Sequence, residues 1–430
     1  MKCILHLSSI MQTSAKNYNS SNGVYMNVDM INGDSMKIAF VVQRYGLEVN
    51  GGAELLCRSI AEHLSKYHDV EVITTCAKDY ITWQDEYKPG KDNVNGITVW
   101  RFPIDVPRDI QKFNKFSARI SSEIHNKEDE IEWMKQQGPY STKLLDFISC
   151  NKFAYNYFIF VTYLYCTTFF GLPLVKDKAV LLPTAHDEPP IYLSIFESLF
   201  KLPKAIIYNT AEEKKFVESK FNTQDIQNDI IGVGIEVPEK IDPDDFKTKY
   251  KVDTFIIYAG RIDESKGCGE LFEYFLRYKK ETQSEIKLVL LGKPVMEIPK
   301  HPDILSLGFV SDQDKFNGIK GSQLLIMPSK YESFSMVIME AWLCNKAVLV
   351  NGNCEVLKGH AVKSNGGLWY ENYEEFRECL KLLLSNEKLR NKMGENGKRY
   401  AEENYSWNKV EEKYLRLLKE LSSGPVKNLH

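Results

Sequence analysis

The residues with the clearest chemical promise form one stretch, Ser329 to Trp342, reading SKYESFSMVIMEAW. Two acids, Glu332 and Glu340, lie eight positions apart in it, after a short apolar run, Leu324 to Pro328, that reads as a buried strand ending at a proline. With a helix starting near Ser335, Glu332 falls in the loop before the helix and Glu340 about one and a half turns inside it. A helix N-terminus presents unpaired backbone N–H groups and a partial positive charge, which suits a phosphate. Carboxylates at such an opening suit sugar and ribose hydroxyls, which donate hydrogen bonds to them.

Other loops carry matching chemistry. The apolar run Phe255 to Ala259 leads into Arg261 and then Lys266-Gly267. A guanidinium grips phosphate through a two-pronged fork and an ammonium acts as a point charge, so the pair suits a diphosphate, although alone it reads equally well as a solvated turn. Cations for a diphosphate beside Glu332 and Glu340 for hydroxyls point to a nucleotide sugar. Gly51-Gly52 sits where a glycine turn lets backbone N–H groups approach a phosphate, or is simply a turn. No G-x-G-x-x-G followed by an acid about 20 residues on is present, and no P-loop, which excludes both nucleotide fingerprints. His186-Asp187 follows the run AVLLPTA, where a histidine can orient an acceptor, assist proton transfer, or serve only as a structural hydrogen bonder. Two D-x-D pairs, Asp242/Asp244 and Asp312/Asp314, are read as structural, the second as part of a helix cap begun by Ser311. No metal is expected.

Elements must position these residues. KIAFVVQ (from Lys37), Val70 to Thr75, Ile97 to Phe102, Tyr157 to Val161, Ala179 to Pro183, Ala205 to Tyr208 and Ile230 to Ile235 read as strands of a first sheet. Phe255 to Ala259, Ile286 to Leu291, Ile304 to Phe309, Leu324 to Pro328 and Ala347 to Val350 read as a second. Amphipathic helices intervene, from about Ala53 to Tyr67, Ala211 to Lys220 and Gly269 to Lys280, and the tail from Tyr373 to Leu421 is helical. Alternating strands and helices specify an α/β chain of two doubly wound sheets, whose ligands bind at the carboxyl ends of strands.

At 430 residues two domains are expected, and 43% hydrophobic residues with a net charge of −3 describe a globular chain without the basic excess of a nucleic-acid binder. Nine scattered cysteines with no C-x-x-C pair read as reduced thiols in the cytosol, with neither disulfides nor zinc. Residues 1–35 differ in composition from the rest of the chain and are read as a mobile extension, Met36-Lys37 being the natural start of the folded part. The uncharged stretch Phe153 to Val175 is long enough to span a bilayer, but its threonines, Asn156, Gly171 and Pro173 favour a buried strand followed by a buried helix. Arg108 to Ile120 is basic and amphipathic, which fits either a helix resting on an anionic membrane or a solvated helix packed on its domain.

Taken in order, these motifs identify a likeness. From Met36 to about Leu421 the chain resembles a family-4 retaining glycosyltransferase of the GT-B fold, two Rossmann-like doubly wound domains facing across a cleft. The matching residues are Gly51-Gly52-Ala53-Glu54, His186-Asp187, Arg261 with Lys266-Gly267, and above all the E-x7-E of Glu332 and Glu340 followed by Ala341. NGNCEVL (from Asn351) and SNGGLWY (from Ser364) resemble enzymes of bacterial surface-polysaccharide synthesis. The resemblance implies an acceptor-side domain over 36–237, a linker over 238–253, a nucleotide-sugar domain over 254–405, and a C-terminal helix over 406–430 that packs back on the first domain.

It also implies roles. Arg261 and Lys266 hold the donor diphosphate, with Gly51-Gly52 approaching it. Glu340 takes the ribose hydroxyls and Glu332 the transferred hexosyl group. Backbone groups of Ser333, Phe334, Ser335 and Met336 meet phosphate or sugar, and Phe309-Val310 meets the base. His186, Glu332, Arg261 and Lys266 are the catalytic candidates. Where the family usually has glycines after its first acid, this chain has Ser333 and Ser335. The expected partners are a nucleotide-sugar donor as co-substrate, no other cofactor, and a glycan or lipid-linked acceptor. The setting is the cytoplasm, with peripheral contact at the inner membrane face as an option. The competing readings are a sugar-nucleotide epimerase or phosphorylase of the same fold, of which the phosphorylase lacks a persuasive pyridoxal lysine, and a non-catalytic sugar-nucleotide binder.

Overall fold

Runs such as YFIFV and FIIYA are buried along their whole length, as strands in the middle of a parallel sheet covered on both faces must be. The computed structural model describes residues 35–49 and 51–423, so the extension expected over 1–35 lies, apart from Ser35, outside the described residues. The chain forms two units, one ending at Gly234 and resuming at Trp407, the other Ile235–Ser406.

The first unit holds strands β1 (Lys37–Val41), β2 (Asp69–Thr75), β3 (Gly90–Val94), β4 (Ile97–Phe102), β5 (Tyr157–Val161), β6 (Ala179–Leu182), β7 (Ala205–Tyr208) and β8 (Gln227–Ile230). Their order is β3-β4-β2-β1-β5-β6-β7-β8, parallel except for the antiparallel β3–β4 pair. The second unit holds β9 (Phe255–Ala259), β10 (Lys287–Leu291), β11 (Ile304–Ser306), β12 (Leu325–Met327), β13 (Val348–Asn351) and β14 (Gly367–Tyr370). Their order is β11-β10-β9-β12-β13-β14, and every pair is parallel. In each sheet the strand order reverses once, between β1 and β5 and between β9 and β12, and such reversals are where open α/β sheets form ligand crevices.

Several expectations are corrected. The strand read over Ile230 to Ile235 is β8, which ends at Ile230, and that read over Ile304 to Phe309 stops at Ser306 because the chain turns at Gly308 with φ +67°. The strands β3 and β14 are additions. The stretch read as linker contains the helix Pro243–Tyr250, whose N-terminus is capped by the Asp242 carboxylate. Phe246 of that helix is fully buried, so the segment belongs to the second unit's packing. Phe153 to Val175 breaks into β5, the helix Cys166–Gly171 and the 3-10 segment Leu172–Lys178, and no helix among the described residues is long and apolar enough to cross a membrane.

The last helix, Trp407–Ser423, belongs to the first unit and buries Val410, Tyr414, Leu417, Leu418 and Leu421. Its Glu411 carboxylate receives Lys66 Nζ at 2.9 Å and Tyr67 OH at 2.7 Å and meets His63 Nδ1 at 2.5 Å. Trp407 stacks on the His63 ring at 3.4 Å with 7° between planes.

Candidate active site

The reversal between β9 and β12 brings together the loops that follow these two strands. Gly267 adopts φ +73°, and a Cβ there would collide with the carbonyl oxygen of Pro328, so only glycine lets the loops approach this closely. Asp263 organises the first loop: its carboxylate accepts the backbone N–H of Lys266 at 2.9 Å and the Ser265 hydroxyl at 2.7 Å, and it pairs with the Arg261 guanidinium. Burial works against this carboxylate, but the Ser265 hydroxyl and Arg261 hold it below the ordinary aspartate range. Lys266 Nζ reaches across to Glu332 Oε1 at 2.7 Å.

The second loop leads from β12 into the helix Met336–Leu343. Ser335 precedes that helix with φ +68° and ψ 78°. Phe334 is turned into the protein, 5.0 Å from the Tyr405 ring and 5.7 Å from that of His360. Burial pushes the His360 imidazole down to about 3, with nearby Lys363 adding to the effect, so it stands neutral. Glu340 is the fifth residue of the helix and is buried, and its carboxylate meets Lys315 Nζ at 2.7 Å. Lys315 comes from the helix Asp312–Gly321, which Ser311 caps by accepting the Asp314 N–H, as the sequence predicts. Phe309 is 70% exposed in the loop before that helix.

The structure therefore joins Arg261, Lys266 and Glu332 around two adjoining loops and gives Glu340 a different cation. Sequence reasoning missed Lys315, because nothing in the run SDQDKFNG marks it out from other helix lysines. Both diphosphate candidates are matched by acids, Arg261 by Asp263 and Lys266 by Glu332. Such a set presents cations whose partners can be exchanged and acids able to accept from hydroxyls. Among the described residues no group of three or more His, Cys, Asp or Glu is placed to hold a metal ion.

Gly51, Gly52 and His186 lie in the first unit. At Gly51 a Cβ would collide with the Glu54 carboxylate, which Arg44 holds through Nε at 2.9 Å, so this glycine serves its own unit. At Gly52 a Cβ would meet nothing within 4 Å, and no internal contact requires glycine there. His186 has Nδ1 3.2 Å from Glu188 Oε1, which also accepts the Tyr163 hydroxyl at 2.8 Å. The preceding Ala185 N–H donates at 2.6 Å to Glu213, a carboxyl that burial raises to about 8. In the basic segment, Arg108 donates to carbonyl oxygens of Ile81 and Gln137 and Arg119 pairs with Asp129, leaving Lys112 and Lys115 exposed.

Comparison with known proteins bears on this geometry. Residues 240–400, which contain both loops, match the family model of glycosyl transferases group 1. An uncharacterized glycosyltransferase of Methanocaldococcus jannaschii is 24% identical over 428 residues, covering 89% of this chain and 98% of that protein. The N,N'-diacetylbacillosaminyl-diphospho-undecaprenol alpha-1,3-N-acetylgalactosaminyltransferase of Campylobacter jejuni is 31% identical over 173 residues, 38% of this chain and 43% of that protein. Among solved structures, Anabaena HepE in complex with UDP-glucose superposes with a TM-score of 0.64 at 15% identity, covering 90% of this chain and all of that one. The fold is GT-B, with two Rossmann-like units.

Proposed function

We propose that the protein is a retaining glycosyltransferase that moves a hexosyl group from a nucleotide sugar to a glycan or lipid-linked acceptor, a reading supported by the match of residues 240–400 to the glycosyl transferases group 1 model within a GT-B fold. The observation that carries this reading is the Lys266–Glu332 pair at 2.7 Å across the β9/β12 reversal, where a diphosphate-binding cation and a hydroxyl-reading acid share one point. Two likenesses support it: one relative's name specifies a diphospho-undecaprenol acceptor, and one fold neighbour holds UDP-glucose.

In the proposed reaction the acceptor hydroxyl attacks the anomeric carbon from the face the diphosphate leaves, so configuration is kept. The bond from sugar to phosphate breaks as the bond to the acceptor oxygen forms, and the leaving phosphate takes the acceptor's proton. Arg261 and Lys266 stabilise the charge that develops on that phosphate. Glu332 holds the sugar hydroxyls and Glu340, steadied by Lys315, the ribose hydroxyls. His186 is proposed to orient the acceptor or assist proton transfer. A lipid-linked acceptor would bring the chain to the cytoplasmic membrane face.

A thermal-shift panel of UDP, GDP and ADP with their sugars tests the donor site, since a ligand that binds the native state raises its melting temperature. One nucleotide series is expected to shift the wild type. Lys266→Ala removes a charge-assisted bond of about 1.5–3 kcal/mol, so affinity should fall roughly 10- to 150-fold. Unchanged binding and transfer in that variant would remove this loop from the site.

A further inference from the structure

Ser335 occupies a backbone conformation that its side chain makes costly. Its φ of +68° lies in the left-handed region, which penalises every residue but glycine. The residue is also 7% exposed, so its hydroxyl has been taken out of water. It stands directly before the helix Met336–Leu343, where a serine ordinarily accepts a backbone N–H of the first turn. It makes no such cap, and its Oγ has no hydrogen-bond partner among the described residues. Glycine would relieve the backbone and remove the orphaned hydroxyl in one change. The serine thus costs the fold twice and returns nothing to it.

Its surroundings indicate what recovers that cost. Ser335 lies three residues after Glu332, whose carboxylate holds Lys266, and it begins a helix whose first N–H groups have no carbonyl of their own helix to bind. Cation, helix N-terminus and hydroxyl are three donors of the kind that phosphate oxygens accept. Among the described residues the hydroxyl makes no hydrogen bond that a ligand's phosphate would have to displace.

We propose that the Ser335 hydroxyl is a ligand of the donor's diphosphate, donating a hydrogen bond to a phosphate oxygen. The inference rests on the donor-site reading above and adds a side-chain donor that a glycine at this position cannot supply.

Full-length wild type, Ser335→Gly, Ser335→Ala and Lys266→Ala are compared by melting temperature without ligand and by calorimetric titration with UDP, GDP and ADP. Ser335→Gly is expected to melt higher than wild type yet bind the preferred diphosphate about tenfold more weakly, the loss of roughly one ordinary hydrogen bond. Ser335→Ala, which keeps the strained backbone, should lose similar affinity with a smaller gain in melting temperature. Wild-type affinity in either serine variant, beside weakened binding in Lys266→Ala, would overturn this inference and leave the donor site standing. So would a Ser335→Gly variant that melts below wild type, since the hydroxyl would then serve the fold. A wild type that binds none of the three diphosphates would overturn the donor-site reading and this inference with it.

Discussion

At the scale of single residues, the acids and cations were legible as types but their pairing was not. Glu332, Glu340, Arg261 and Lys266 could be singled out because strand ends with charged loops are visible in a sequence. That Lys266 serves Glu332 depends on which loops the sheet reversal brings together, and that Lys315 serves Glu340 on how the helices before and after β12 lie beside each other. His360 was invisible for another reason: a histidine acquires its character from burial, here among Phe334, Trp342, Tyr400 and Tyr405. Its folded value near 3 lies below the ordinary 6.5, so the unfolded chain takes a proton that the native state refuses. The stability it contributes is complete above pH 6.5 and declines as pH falls from there toward 3. Denaturant melts between pH 7 and 4 should therefore show a shallower loss of stability in His360→Phe than in wild type. Equal slopes would mean that the ring is protonated in the native state.

At the scale of elements, the buried parallel strands were easily read and the edges were not. YFIFV and FIIYA announce themselves because both faces are apolar, whereas GKDNV and QNDI are mostly polar edge strands, GKDNV pairing with β4 across the Asn95-Gly96 turn and QNDI with β7. The helix Pro243–Tyr250 was hidden in a stretch whose composition resembles a linker, and its Asp242 cap is plain only once the helix is seen. The final helix makes a sharper statement. A Cβ added at Gly234 would strike the Trp407 ring at 2.5 Å, so the end of the first unit's chain passes directly against the ring that opens this helix. Gly234→Ala should overpack that contact and destabilise the protein by about 1–3 kcal/mol. Thermal melting checks it, and an unchanged midpoint would show that Trp407 moves aside without penalty.

At the scale of the whole molecule, two reversing parallel sheets could be anticipated from alternation alone, because each apolar run needs a helix to cover it. The reversal points could not, since strand order depends on crossovers and not on local pattern. Their positions decide which loops come together. The β9/β12 reversal collects Arg261, Lys266 and Glu332, while Glu54, after β1, is engaged by the internal Arg44–Glu54 pair. The basic segment illustrates the same dependence: its charges form a stripe in sequence, yet Arg108 and Arg119 are turned to partners of their own.

The Lys266–Glu332 pair also bears on timing. In the proposed donor site, a diphosphate held by Lys266 would compete with a carboxylate on the adjoining loop, a rival present at high effective concentration throughout the cycle. On that reading, Glu332 would reclaim the ammonium once the sugar has departed and hasten departure of the spent nucleotide. Glu332→Gln should then slow transfer but lengthen the residence of the nucleoside diphosphate, with a dissociation rate several-fold below wild type by stopped-flow chase. An unchanged or faster rate would show that the pair plays no part in release.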